Sequence, residues 1–272
     1  MLEVNKIHQG DCLELMKEIS DKGVDCIITD PPYGINKDKW DIINELNIWN
    51  KQWIKICCKK LKPNGTIVVF GNCPLIFDIY YILKENGFNF INHIVWQKKK
   101  GKNQKKRFVD NREDILIFSK SLNYYFLPQR NSKKKPSSGG RQYKHYISKG
   151  MSIPFPLYNS VWDDIREVDN SGRSDIKYKH PTQKPIKIIT RLIISLSKEN
   201  DIILDPFVGS GTTAIACKRT NRNFIGIEKE QKYVDIANKR LSQETLLPLD
   251  VNTKEDGFPP TPKGMGIQPT IL

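Results

Sequence analysis

The sequence DIILDPFVGSGTTA, residues 201–214, passes from an apolar segment through a glycine-rich turn into a run that favours a helix. Gly209, Gly211 and Ala214 have the spacing G-x-G-x-x-G/A, and Glu228 follows 19 residues after Gly209. Glycine allows close backbone approach, a helix N-terminus offers free N–H groups, and an acid after the next strand can bind ribose hydroxyls. The pattern predicts a nucleoside-type cofactor site. The alternative is a structural turn followed by a solvated glutamate.

A second unusual sequence, TDPPYG at residues 29–34, follows the apolar run VDCII. A strand that only needed to end could use Gly or Asn. Proline fixes φ and donates no backbone N–H, so the two prolines predict a rigid, extended backbone beside a carboxylate and an aromatic ring. We expect this segment to hold a ligand, with a strand-terminating turn as the alternative.

Positive charge is concentrated in one part of the chain. The 272 residues carry a formal net charge of +14, and residues 97–150 contain 16 Lys or Arg against 3 Asp or Glu. This concentration predicts a polyanionic partner, nucleic acid first and an anionic membrane second. A solvated basic loop is the alternative.

Other classes of site are not indicated by composition. The six cysteines contain no C-x-x-C pair and the four histidines are scattered, so we expect no metal site and no disulfide framework. No apolar run approaches the ~18 residues of a membrane span, and no signal-type segment begins the chain. These features predict a soluble cytoplasmic protein.

Short apolar runs alternate with longer mixed segments, which is typical of an α/β fold with a mostly parallel sheet. The glycine turn follows the Asp-Pro-Pro-Tyr segment instead of opening the chain, which predicts a circularly permuted sheet around a cofactor crevice. The predicted strands are about 5–8, 24–29, 65–70, 90–97, 114–119, 202–204 and 223–227. The predicted helices are 12–19, 41–61, 75–86, 182–196, 211–219 and 231–241.

Three motifs, in this order, resemble the beta group of amino DNA methyltransferases, which modify adenine N6 or cytosine N4: DPPY at 30–33, HPTQKP at 180–185 and DPFVGSGTT at 205–213. The resemblance covers about residues 5–242, except the middle of the basic segment. It implies a Rossmann-like, seven-stranded methyltransferase sheet with a basic target-recognition insertion. The implied divisions are a catalytic half (1–120), the insertion (121–175), a cofactor-binding half (176–242) and a C-terminal tail (243–272).

The resemblance also implies S-adenosylmethionine as cofactor. Its adenine would contact Asp11, its ribose Glu228 and its methionine carboxylate Lys184. For Asp11 a helix N-cap is an alternative or additional role, and for Lys184 a surface lysine is the alternative. The implied cofactor-binding residues are Asp11, Lys184, Asp205, Phe207, Gly209, Gly211, Thr212, Thr213 and Glu228.

Residues 30–33 have the chemistry needed to methylate an exocyclic amine. The lone pair of such an amine is delocalised into the ring, so the amine is a poor nucleophile. Carboxylate and backbone oxygens can accept hydrogen bonds from its two N–H groups and favour a pyramidal nitrogen. We therefore expect direct methyl transfer, with Asp30 and the Pro31 carbonyl as acceptors, Pro32 as a rigid support and Tyr33 as a stacking surface.

The expected partner is double-stranded DNA, from which the target base must be flipped out. The basic segment would bind the phosphates, and a homodimer and a cognate restriction enzyme are further possible partners. Because Asp opens the Asp-Pro-Pro-Tyr motif, adenine is favoured over cytosine. An N4-cytosine enzyme, an RNA adenine methyltransferase and a non-catalytic nucleic-acid binding protein stay open as alternatives. The predicted DNA contacts are Lys98, Lys99, Lys105, Arg107, Arg130, Lys133 and Arg141.

Overall fold

The computed structural model describes residues 1–34, 41, 45–102, 105–106, 108–131, 148–149, 157–168, 175, 177–178 and 181–244. The chain divides into two compact units, of which the first comprises Met1–Leu127 and Asn159–Leu246. Pro128–Tyr158 belongs to the second unit. The predicted catalytic and cofactor-binding halves, 1–120 and 176–242, thus both fall in the first unit. The four-part division itself stays a prediction.

The first unit is built on one mixed sheet. Its strands within the described residues are β1 (Lys6–Gln9), β2 (Val24–Thr29), β3 (Leu61–Gly71), β4 (Asn89–Lys102), β5 (Asp110–Ser119), β6 (Val161–Trp162), β7 (Ile202–Asp205) and β8 (Asn223–Glu228). Their order in the sheet is β1-β8-β7-β2-β3-β5-β4-β6. The first five strands in this order run parallel, whereas β5 is antiparallel to β3 and to β4.

Helices cover both faces of the sheet. Successive strand residues point to opposite faces, so Ile28 and Val68 join one apolar cluster while Ile27 and Val69 join the other. Within the described residues the helices are α1 (Cys12–Leu15), α2 (Leu46–Lys60), α3 (Leu75–Glu85), α4 (Ile186–Leu196), α5 (Thr212–Arg219) and α6 (Gln231–Gln243). Helices α4–α6 pack on the first cluster and α1–α3 on the second. None of the helices described is long and apolar enough to cross a membrane.

The Rossmann-like, circularly permuted sheet predicted from the sequence is confirmed. Strand β7, which leads into the glycine turn, pairs in parallel with β2, which leads into the Asp-Pro-Pro-Tyr segment. All seven predicted strands occur, and the two-residue strand β6 adds an eighth at the edge. A strand this short has no periodic pattern, which is why the sequence did not reveal it.

Two predicted helices begin later than expected. The helix predicted from residue 182 begins at Ile186, because Pro185 is extended with φ −61° and ψ 133° and a residue before proline is disfavoured in a helix. The helix predicted from residue 41 begins at Leu46, after Glu45 in a left-handed conformation with φ 53°. The predicted helix 12–19 is an α-helical turn followed by a 3₁₀ turn over Met16–Glu18.

Candidate active site

Four acidic residues stand at the C-terminal ends of four neighbouring parallel strands. Asp11 follows β1, Glu228 ends β8, Asp205 ends β7 and Asp30 follows β2. Because β1, β8, β7 and β2 are consecutive in the sheet, the acids form a row along one edge in that order. Neighbouring strands lie about 4.8 Å apart, so the row extends over roughly 14 Å. We call it the acidic row.

The glycine turn lies between β7 and α5, beside the acidic row. Gly209 and Gly211 have φ values of 52° and 86°, in the left-handed region that glycine adopts without strain. A Cβ on Gly211 would lie 2.8 Å from the Cβ of Ala237, so α6 packs directly against the turn. The Gly209 N–H donates a 3.1 Å hydrogen bond to the Glu228 carboxylate. Burial raises the pKa of Glu228 above its usual value.

A buried arginine on α6 supports the same turn. Arg240 Nη1 donates to the backbone oxygen of Ser210 over 2.5 Å and to the hydroxyls of Ser210 and Thr212 over 3.1 and 3.3 Å. Its guanidinium carbon lies 4.5 Å from the ring centroid of Tyr178. The turn is therefore tied to α6 by hydrogen bonds as well as by packing.

Asp205 connects the glycine turn to the neighbouring strand. Its Oδ1 accepts hydrogen bonds from the Thr29 hydroxyl at 3.0 Å and from the Phe207 N–H at 3.1 Å, and its Oδ2 accepts from the Thr213 hydroxyl at 2.6 Å. Burial raises the pKa of Asp205 to about 7, against the opposing effect of these hydrogen bonds. The carboxylate is therefore poised to change charge near neutral pH.

Asp30 is held by two donors, one from its own segment and one from a distant part of the chain. The Tyr33 hydroxyl donates to Oδ1 over 2.5 Å, and the Lys184 ammonium donates to Oδ2 over 2.5 Å. Burial raises the pKa of Asp30, although the charge of Lys184 opposes this shift. Burial, together with the neighbouring acids, also raises the pKa of Tyr33, so its hydroxyl stays protonated and can donate.

A buried glutamate on β5 binds the same two donors. Glu113 Oε1 lies 2.8 Å from the Lys184 ammonium and accepts a 3.2 Å hydrogen bond from the Tyr33 hydroxyl. Its Oε2 lies 2.5 Å from the Lys98 ammonium. Burial alone would raise the pKa of Glu113, but Lys184 and Lys98 outweigh it and lower the pKa to about 2. Conversely, burial would lower the pKa of Lys184, but Asp30 and Glu113 raise it.

The turn after Asp30 is fixed by a further acid. The backbone N–H groups of Tyr33 and Gly34 both donate to Asp41 Oδ1, over 2.7 and 2.8 Å. Asp41 is 1% exposed, and Pro31 and Pro32 are also buried. The Tyr33 ring is thereby held in place, with the Lys184 ammonium 5.8 Å from its centroid.

One cavity brings the two motifs together. The Phe207 ring, which lines this cavity, packs against the rings of Trp49 and Trp53, with centroids 5.3 and 5.6 Å apart. Of the residues predicted to act at the site, those lining the cavity are Asp30, Lys184, Asp205, Phe207, Gly209, Thr212 and Thr213. Asp11 and Glu228 lie further along the acidic row. Asp11 caps α1 by accepting a 2.8 Å hydrogen bond from the Leu13 N–H, which was one of its two expected roles.

The predicted DNA contacts are only partly described. Lys99 and Lys105 are exposed, whereas Lys98 is half-buried and paired with Glu113. Arg130 is in the second unit, where it forms an isolated antiparallel bridge with Leu157. Arg107, Lys133 and Arg141 lie outside the described residues, as does His180 of the HPTQKP motif.

Three residues at the site were missed as functional candidates. Glu113 shares a strand face with Ile115 and Ile117, and an acid shortly before a continuous apolar run is a signal that could have indicated it. Asp41 and Arg240 had no comparable local pattern. The described residues contain no cluster of three or more His, Cys, Asp or Glu side chains that could hold a metal ion.

The permuted sheet, the glycine turn and the Asp-Pro-Pro-Tyr segment at a shared edge define a methyltransferase of the Rossmann-like class. The family model described as DNA methylase matches residues 24–239. The chain therefore belongs to the DNA methylase family. This agrees with the resemblance of its motifs to the beta group of amino DNA methyltransferases.

Individual relatives are similar over most of their length. The type II methyltransferase M1.MboII of Moraxella bovis is 36% identical over 261 residues, which cover 89% of this chain and 98% of that protein. The structure of M1.HpyAVI in complex with SAM has a TM-score of 0.61 at 31% identity, over 87% of this chain and 98% of that one. PvuII DNA methyltransferase, which is cytosine-N4-specific, shares the fold with a TM-score of 0.62 at 22% identity, over 86% and 85% of the two chains.

Proposed function

We propose that this protein is a site-specific DNA methyltransferase that transfers a methyl group from S-adenosylmethionine to the N6 amine of an adenine flipped out of double-stranded DNA. The observation that carries the proposal is the shared cavity, which Asp30 and the glycine turn line together although they lie far apart in the chain. A methyl donor and an acceptor amine bound to these two motifs would therefore meet. The M1.HpyAVI complex with SAM supports the choice of cofactor.

The acidic row suits the shape and chemistry of this cofactor. Its order of Asp11, Glu228, Asp205 and Asp30 matches the order of adenine, ribose, methionine and acceptor amine. Glu228 would accept hydrogen bonds from the ribose hydroxyls. These bonds would replace the one that it accepts from the Gly209 N–H. The turn containing Phe207, Gly209, Gly211, Thr212 and Thr213 would hold the methionine end, with the N-terminus of α5 favouring its carboxylate. When bound, the cofactor supplies a methyl group on positively charged sulfur.

Asp30 would hold and activate the target amine. A carboxylate oxygen has two lone pairs, so one oxygen of Asp30 can accept the first amine N–H while the carboxylate keeps the hydrogen bonds from Tyr33 and Lys184. The Pro31 carbonyl would accept from the second N–H. Transfer leaves a positively charged nitrogen that must lose a proton, and Asp30, whose pKa is raised by burial, can accept it. The half-buried Tyr33 ring would stack on the base.

Lys184 would act beside Asp30. Its ammonium is bound by the half-buried carboxylate of Asp30 and the buried carboxylate of Glu113, which supports a role in orienting Asp30 and keeping it ionised. The expected contact with the cofactor carboxylate stays part of the proposal, because Lys184 also lines the cavity.

DNA would bind through residues 97–150, with 121–175 as the target-recognition insertion. Exposed Lys99 and Lys105 would contact phosphates, and these contacts would offset the few kcal/mol that base flipping costs. M1.MboII is named as a type II methyltransferase, so we also propose a cognate restriction enzyme and a cytoplasmic site of action. A homodimer stays a prediction.

Adenine is proposed over cytosine because the motif begins with Asp. The fold does not distinguish the two targets, since the cytosine-N4-specific PvuII enzyme has a similar sheet. The decisive experiment is nucleoside analysis of DNA from a methylation-deficient host that expresses this chain. We expect N6-methyladenine and no N4-methylcytosine among the nucleosides. N4-methylcytosine would reverse the assignment, and methylation of RNA alone would contradict a DNA substrate.

A further inference from the structure

Glu113 is a buried acid without an obvious place in the reaction. It is 4% exposed, on the face of β5 that also carries the buried side chains of Ile115 and Ile117. A carboxylate in such surroundings is costly unless it is paired and hydrogen-bonded. Glu113 meets this condition with the ammonium groups of Lys184 and Lys98 and with the Tyr33 hydroxyl, whose single proton it shares with Asp30.

Two of these donors are the ones that hold Asp30. Lys184 and Tyr33 each contact both carboxylates, so Asp30, Tyr33, Glu113 and Lys184 form a closed ring of contacts of 2.5 to 3.2 Å. Glu113 is thus connected to Asp30 through the donors that they share, and its charge also helps to raise the pKa of Asp30. Two acids and two lysines, counting Lys98, balance the charge of the group.

The third donor belongs to the basic segment. Lys98 comes from β4, within the basic segment 97–150, and its ammonium lies 5.3 Å from the Trp96 ring as well as beside Glu113. A residue expected to contact DNA is therefore bound to the group of side chains that surrounds Asp30.

We propose that Glu113 is a positioning residue for methyl transfer. It fixes Lys184 and Tyr33, so that the Asp30 carboxylate keeps one orientation toward the target amine. Through Lys98 it also connects this arrangement to the strand predicted to bind DNA. The proposal rests on the function proposed above. Glu113 acts on the reaction through Lys184 and Tyr33.

Replacement by glutamine tests this role with little change of shape. In Glu113→Gln the Oε1 atom still accepts from Lys184 and Tyr33, but the new amide group faces the Lys98 ammonium, and two donors cannot bond to each other. Lys184 then has one charged partner instead of two, so its ammonium is held less firmly. The Asp30 carboxylate that it binds can then change its orientation. Because misplacement by about 1 Å can cost about 10²-fold in rate, we expect a loss of that order in the single-turnover rate constant.

The readouts separate positioning from general damage. Glu113→Gln should slow single-turnover methyl transfer at saturating DNA and S-adenosylmethionine, while the Kd values for both ligands change by much less than about tenfold. The matched control is Asp114→Asn. Asp114 is the next residue on β5, is 1% exposed and is paired with His93 at 2.7 Å, so its replacement should lower the melting temperature and leave the rate constant near that of the unmodified protein.

A double variant separates positioning from simple charge pairing. Lys98→Met combined with Glu113→Gln removes the unpaired ammonium, so we expect the melting temperature to recover while the rate constant stays low. Recovery of both would overturn the proposal, as would a normal rate in Glu113→Gln or an equal loss in Asp114→Asn. Failure of the proposed function has a different result, namely that the unmodified chain methylates no DNA.

Discussion

The hydroxyl of Thr29 donates a 3.0 Å hydrogen bond to the carboxylate of Asp205, although 176 residues separate them in the chain. Thr29 ends β2 immediately before the Asp-Pro-Pro-Tyr segment, and Asp205 ends β7 immediately before the glycine turn. This bond therefore joins the two motifs at their bases. It explains in physical terms why a ligand on one motif can reach a ligand on the other.

Asp30→Ala should abolish methyl transfer and preserve both binding steps. The variant removes the proposed acceptor of the amine N–H, and the loss of such a group typically lowers a rate by about 10²- to 10⁴-fold. Lys184 keeps Glu113 as a charged partner, so the site should stay folded. Transfer of labelled methyl groups measures the rate, and calorimetric titration measures the affinity for S-adenosylmethionine. Near-normal turnover would exclude Asp30 from the mechanism.

The relative affinity for S-adenosylmethionine should rise between pH 6 and pH 8. Asp205 has a pKa of about 7, so it is mostly neutral at pH 6 and mostly ionised at pH 8. Only the ionised form of Asp205 attracts the positively charged sulfur of S-adenosylmethionine. The sulfur of S-adenosylhomocysteine is neutral. The ratio of the Kd for S-adenosylhomocysteine to that for S-adenosylmethionine should therefore increase with pH, by up to about tenfold.

Replacement of Asp205 by asparagine provides the control for this pH dependence. The asparagine has no charge to gain, so the ratio of the two Kd values should become flat across the same range. A ratio that rises equally in Asp205→Asn would assign the pH dependence to another group.

Gly211→Ala should lower the stability of the protein more than Gly87→Ala does, and it alone should weaken cofactor binding. Both glycines have left-handed φ values, 86° and 79°, so each substitution carries a backbone cost of about 1–2 kcal/mol. At Gly87 a Cβ would meet no atom within 4 Å, whereas at Gly211 it would lie 2.8 Å from Ala237. Chemical denaturation should show a larger loss of stability for Gly211→Ala, with weaker binding of S-adenosylmethionine in that variant alone. Equal effects would show that close packing of α6 against the turn is unimportant.

Lys105→Glu should weaken DNA binding and reduce its salt dependence. Each phosphate contact contributes a slope of about −0.9 to the plot of log K against log salt concentration, so losing one contact should reduce the slope by about one. The matched control is Lys239→Glu, which changes another exposed lysine, on α6 and outside the basic segment. Fluorescence anisotropy over a salt series measures both slopes. If the slope changes only in Lys239→Glu, the DNA surface lies elsewhere.

The local patterns of the sequence were sufficient to predict most of the elements and the two motifs. Apolar runs of strand length located seven strands, and the glycines with their spaced acid indicated the cofactor turn, because these signals depend on residues close together in the chain. Helix starts were less accurate where a proline or a left-handed residue intervened, as at Pro185 and Glu45. The position of the glycine turn late in the chain also predicted the permuted sheet.

The tertiary structure alone decided which side chains meet. A period of two shows that Glu113 shares a face with Ile115, but it does not show that Lys184, from a segment 71 residues later, lies 2.8 Å away. The same limit applies to Lys98, which composition assigned to DNA and which the fold pairs with Glu113. Such contacts depend on the order of strands in the sheet, and strand order is set by the packing of the whole chain and not by any local run of residues.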